Sequence, residues 1–130
     1  MNEAIETGIA PSRAPISDCV RAGNHVWMVA VSEDPKTGTI VTGEIEVQAR
    51  QVLSNLKQCI EAAGGTMGDI VMMQIFLIDS ADSAGMNKVY REFITEKPYP
   101  VRATVVVKEL LAQGLKMEAT AMAVLQGPKA

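Results

Sequence analysis

YPVRATVVVKELLAQGLKME, residues Tyr99–Glu118, sets one arginine at the mouth of an apolar β-branched run, Val105-Val106-Val107. Arg102, Thr104, Val106 and Lys108 alternate there with Ala103, Val105 and Val107, which predicts a strand over Arg102–Glu109. The following stretch, Leu115–Leu125, alternates Lys116, Glu118 and Thr120 against Met117, Ala119, Ala121 and Ala123, a second strand. Ala112-Gln113-Gly114 between them suits a hairpin-like connection. A guanidinium is rarely buried without an anionic partner. Arg102 therefore either pairs with a carboxylate of the protein or waits for one from a ligand, and ordinary ion pairs are common outside active sites.

Upstream, Lys97-Pro98-Tyr99-Pro100 must end whatever helix precedes it, because the residue before a proline is pushed out of helical backbone. Met86, Val89, Tyr90 and Phe93 form the inner stripe of such a helix, expected over Ser83–Thr95 with Asp79-Ser80 or Asp82-Ser83 as cap. Before it, IVMMQIFLI (Ile70–Ile78) is the most hydrophobic segment and suits an interior strand. A longer helix is expected over Glu44–Ala63, where Ile45, Ala49, Val52, Leu53, Leu56 and Ile60 recur every three or four residues. Glu46, Arg50, Gln51, Asn55, Lys57 and Glu61 make its solvated face, and Gly64-Gly65 closes it with a left-handed cap.

The N-terminal part reads as a loosely patterned lead-in over residues 1–15, a short extended piece over Ile16–Val20 and a turn at Ala22-Gly23-Asn24. HVWMVAVS (His25–Ser32) is an apolar strand, Asp34–Gly38 a tight turn and Thr39–Thr42 a short further strand. The sum is a two-layer α+β fold, a mixed sheet with two helices on one face, in one domain over residues 1–130. Two helices cover only one face, while the strands are apolar on both. The second face calls for another copy of the same sheet, so a homo-oligomer is expected.

Bulk properties exclude several functions. The chain has 130 residues, 48% of them hydrophobic and 21% charged, an ordinary globular balance. A net charge of −3 disfavours nucleic-acid binding, which needs a basic face. No apolar run approaches the ~18 residues of a membrane span. Cys19 and Cys59 lack the spacing of a zinc site or a disulfide framework, and His25 is the only histidine, so neither a zinc site nor a multi-histidine metal site within one chain is expected. The expectation is a cytoplasmic protein with reduced thiols.

Several stretches, in order, resemble the RidA/YjgF family of small trimeric imine and enamine deaminases. Gln48–Leu56 with Glu61-Ala62-Ala63-Gly64 is similar to its first helix, and Gly68-Asp69-Ile70-Val71 to the entry of its central strand. Asn87–Phe93 is similar to its second helix, and Pro100-Val101-Arg102-Ala103 with Met117-Glu118 to its C-terminal signature. The resemblance implies a chorismate-mutase-like fold with a six-stranded sheet, assembled as a homotrimer with clefts between subunits. It implies that Arg102 grips the carboxylate of a small imine or enamine acid, with Asn87 and Ser32 lining the same pocket. A bidentate guanidinium suits that task as lysine does not. No cofactor is implied, because the imine carbon is already electrophilic.

The departures fall around the same pocket. Family deaminases usually place a glutamate two residues beyond the one matched by Glu118, and here that position is Thr120. A tyrosine before the first long strand is replaced by Ile16, with Cys19 three residues on, and a Ser-Gly stretch is replaced by Val29-Ala30-Val31-Ser32. Candidate catalytic groups are therefore Glu118, Thr120 and Cys19, the last only if its thiol were activated. Glu118 also reads as a structural partner of Arg102 or of a lysine. Trp27 reads as packing in its strand and Cys59 as core. Two functions stay open: a deaminase releasing ammonia from a small carboxylate-bearing imine or enamine, and a non-catalytic trimer that binds small carboxylates.

Overall fold

The computed structural model describes residues 1–127. Chain order runs β1 (Glu3–Ala4), β2 (Cys19–Ala22), β3 (His25–Val31), α1 (Ile45–Ala62), β4 (Ile70–Leu77), α2 (Ser83–Phe93), β5 (Val101–Val106) and β6 (Met117–Val124). Short 3-10 turns at Met67–Asp69 and Ser80–Asp82 lead into β4 and α2. The six strands form one mixed sheet in the order β1-β2-β3-β6-β4-β5, with β4 and β5 parallel and all other neighbours antiparallel. The two-layer α+β architecture expected from the sequence is the one observed.

One connection differs from expectation. β5 and β6 do not form a hairpin, because β4 lies between them and pairs with both. β4 is apolar enough to occupy an interior position, and that leaves β5 at the sheet edge. Thr39–Thr42 contributes a single bridge, Glu33 to Ile40, rather than a strand.

α1 forms where its apolar spacing places it and ends at Gly64, whose φ of +96° supplies the left-handed turn. Its inner stripe, with Val52, Leu53, Leu56 and Ile60 all at 0% exposure, packs on Val26, Met28 and Ala30 of β3 and on the alanine row of β6. Each such side chain contributes roughly 1.5–3 kcal/mol by leaving water. α2 adds Met86 and Val89, while Tyr90 and Phe93 are half-buried against the same core. The small alanines of β6 let α1 sit close to the sheet. Where α2 crosses α1 the approach is closer still: a Cβ on Gly85 would stand 2.7 Å from Ile45 Cγ2.

Period-two alternation divides every strand between two faces. Val26, Met28, Ala30, Met73, Ile75, Leu77, Met117, Ala119 and Ala121 face the helices and are buried. The opposite face, left open by this chain, carries Trp27 at 45% exposure, Met72, Val101 at 69% and Val105, together with Glu118 and Thr120. Trp27 is thus no core residue within one chain: it stacks on His25 at 5.9 Å between ring centres and stays open.

Candidate active site

Arg102 lies on the edge strand β5, in register with the buried Met73, so its side chain is on the helix face. There it meets α2, and its guanidinium carbon sits 4.6 Å from the centre of the Tyr90 ring. Among the described residues the side-chain ion pairs are Arg50–Glu92 and Lys88–Glu46, and neither involves Arg102. Of the two readings the sequence left open, an internal ion pair is therefore not the one realised. Burial pushes the Tyr90 hydroxyl above its ordinary pKa and the Arg102 charge opposes that shift, so the ring stays neutral beneath the cation. Asn87, one helical turn before Tyr90, is half-buried on the same helix.

The opposite charge gathers elsewhere. A cleft of about 710 Å³ opens between the lead-in around Ile16, the end of β3 at Val29–Val31, and the loop Glu109–Ala112. Asp18, Glu33 and Glu118 all line it, and among the described residues no lysine, arginine or histidine does. Burial raises the pKa of each of the three, and for Glu33 the neighbouring Asp18 charge adds to the effect. Carboxyls held above their ordinary range keep their protons more readily than free ones, which suits them to proton transfer. Glu118, opposite Val31 and Phe76 on the open face, is the one that belongs to the central strands.

Arg102 and Glu118 consequently stand on opposite faces of one sheet. A single chain does not bring the cation and the carboxylate-lined cleft together. Thr120, two residues on from Glu118 and on the same face, donates its hydroxyl to Gln74 Oε1 at 3.1 Å and lines a shallower hollow with Trp27 and Met72.

Two expected site residues are corrected. Cys19 is 1% exposed, and its thiol donates to the Cys59 carbonyl at 3.7 Å, so it faces the core and not the cleft. The two thiols share a hydrogen bond that draws Cys19 down and, with burial, pushes Cys59 far up. A nucleophile needs access, and Cys19 has none. Ser32 is fully buried, and its hydroxyl donates to the Val41 carbonyl at 2.7 Å while its own carbonyl accepts from the Val41 amide at 2.9 Å. It closes the Glu33–Ile40 loop rather than contacting a ligand.

The residues that hold the cleft open escaped the periodicity. Asn55, placed on the solvated face of α1 by spacing, is 1% exposed and donates to the carbonyls of Val31 and Glu33 at 3.1 and 3.0 Å. Gln48, one face-repeat earlier, donates to the Gly114 carbonyl and accepts from the Lys116 amide, each at 2.8 Å. Two buried amides on one helix thus latch the end of β3 and the loop entering β6. Polar residues flanking an apolar helical stripe were the only available signal.

A mixed six-stranded sheet backed by two helices is the architecture of the small RidA-like α+β proteins. The chain belongs to the RidA/YjgF family: the family described as Endoribonuclease L-PSP matches residues 7–125. It is similar to a RutC family protein of Pyrococcus horikoshii, 42% identical over 85% of this chain and 88% of the relative. It is also similar to the 2-iminobutanoate/2-iminopropanoate deaminase of Salmonella typhimurium, 38% identical over 95% and 98%. Among solved structures, E. coli TdcF with bound serine superposes with a TM-score of 0.85 at 36% identity, covering 94% of this chain and 98% of that one.

Proposed function

We propose that this protein hydrolyses a small carboxylate-bearing imine or enamine to the keto acid and ammonia, in sites assembled between copies of the chain. One observation carries the reading: Arg102 is a half-buried cation at a sheet edge that no carboxylate among the described residues engages, and it is propped on an aromatic ring. An arginine so placed offers its planar fork to an external carboxylate. The names of the Salmonella relative, an imine deaminase, and of TdcF, solved with the amino acid serine bound, support that ligand class.

The chemistry asks little of the protein beyond placement. Arg102 of one copy holds the substrate carboxylate, so that the C=N carbon lies in the cleft of a neighbouring copy. An enamine first takes a proton at its β-carbon to become the imine. Water then adds to the C=N carbon as one of its protons passes through Glu118 to the nitrogen, and the carbinolamine collapses to C=O as the hydroxyl proton passes to the nitrogen, which leaves as ammonia. Orientation and a dry cleft account for the acceleration. A second copy is supported by the opposite placement of Arg102 and Glu118 and by the open face with Trp27, Val101 and Val105, which a homotrimer would cover.

A second reading has its own observation. Thr120 already gives its hydroxyl proton to Gln74, and a hydroxyl is far too weak a base to do what a carboxylate could where family deaminases have a second glutamate. A trimer that binds small carboxylates without turning them over fits that hydroxyl as well. Ammonia release from freshly generated 2-iminobutanoate separates the two. Release by wild type that Arg102→Ala loses supports the deaminase; binding of 2-oxobutyrate without release supports the binder; equal release by both proteins removes Arg102 from the site.

A further inference from the structure

Arg102 would be of little use as an anchor if its side chain wandered, and nothing on its own strand restrains it. What holds it is on the facing helix. The guanidinium carbon of Arg102 stands 4.6 Å from the centre of the Tyr90 ring, and Tyr90 is itself packed against the core beside Met86 and Val89, both 0% exposed. We infer that Tyr90 is the positioning residue of the carboxylate anchor: its ring carries Arg102 and leaves most of the guanidinium's five N–H donors to the incoming carboxylate.

The geometry gives this arrangement an advantage over an ion pair. Guanidinium donors all lie in the plane of the group, so a carboxylate partner within the chain would occupy the very N–H groups a ligand needs. A ring attracts the same cation through the face of its π system and takes no donor. It also removes the rotamer freedom that a long side chain would otherwise lose when the ligand arrives. The Tyr90 hydroxyl also hydrogen-bonds to Arg102 and takes one of its five N–H donors; the ring and its electron-rich face supply the larger part of the hold.

This inference rests on the reading of Arg102 as anchor, and its test keeps the two apart. Affinity for 2-oxobutyrate is measured by ligand-observed NMR in wild type, Tyr90→Phe, Tyr90→pentafluorophenylalanine and Arg102→Ala. The fluorinated ring has the shape of phenylalanine but an inverted quadrupole, so packing is kept while the attraction is lost. Tyr90→Phe should bind within about twofold of wild type and the fluorinated variant on the order of tenfold more weakly. In turnover that loss should fall on KM and not on kcat, as expected for a grip shared by substrate and transition state. Equal affinity of the Phe and pentafluoro variants, alongside a loss in Arg102→Ala, overturns the role of Tyr90 alone. Unchanged affinity in Arg102→Ala overturns the anchor and the inference with it. In the unmodified protein, the Arg102 Nε–H resonance should be shifted by the ring current; an unshifted resonance also overturns the inference.

Discussion

At the scale of single residues, the balance of charge around the cleft governs how this protein responds to pH. Asp18, Glu33 and Glu118 hold their protons more tightly in the folded chain than in the unfolded one, because burial penalises their ionised forms. Groups with raised folded-state pKa values contribute their full stability below the ordinary carboxylate range. That contribution is lost as pH rises through the raised values. Thermal unfolding of the wild type should therefore show stability declining as pH rises above the ordinary carboxylate range of about 4. Asp18→Asn and Glu118→Gln should each flatten the decline, and a wild type that gains stability steadily over that span would contradict the origin of the shifts. Ser32→Ala tests a different residue. It leaves the Val41 carbonyl without its donor and should cost about 1 kcal/mol in denaturant unfolding. Arg102 was conspicuous in the sequence because a lone guanidinium before an apolar strand invites the question of its partner. That the partner is Tyr90 was not legible, since the contact joins β5 to α2 and nothing in the spacing pairs them.

At the scale of elements, α1 does more than cover the sheet. Asn55 and Gln48 tie it to the two segments that frame the cleft, the end of β3 and the entry to β6. Asn55→Leu should lower stability by about 2–3 kcal/mol, read from the denaturant midpoint at unchanged slope, because two buried carbonyls lose their donor. An effect below about 0.5 kcal/mol would mean that water replaces the amide readily and that the latch is not structural. α2 responds to a different change. Gly85→Val would drive a side chain into Ile45 and push α2 off α1, at about 1–3 kcal/mol, and would carry Tyr90 with it. Both helices and the long strands were readable because each has one dominant period. The register of Asn55 was misread for the same reason: spacing marks a polar residue as exposed, whereas two backbone carbonyls at the end of β3, in the facing layer, decided its burial. The position of β4 between β5 and β6 could not be read from a short loop either, because the hairpin that loop suggested competed with a more apolar strand for the interior.

At the scale of the whole molecule, the open face of the sheet and the split between Arg102 and the cleft point to the same arrangement. Trp27, Val101 and Val105 are large apolar groups on a surface that a single chain leaves in water. Sedimentation should give a multiple of the 13.9 kDa chain mass for the wild type and a smaller species for Trp27→Asp. A wild type that sediments at the mass of one chain would sink the assembly. The most direct measurement of the central claim, one site built from two copies, is complementation between two inactive variants. Arg102→Ala lacks the anchor, and Val31→Trp fills the cleft beside Glu118 while keeping Arg102. Co-expressed in equal amounts, the two should assemble at random, so that about a quarter of the sites combine an intact Arg102 with an open cleft. Ammonia release from 2-iminobutanoate should then return to about a quarter of the wild-type rate from parents that have almost none. A mixture no more active than its parents would contradict the shared site.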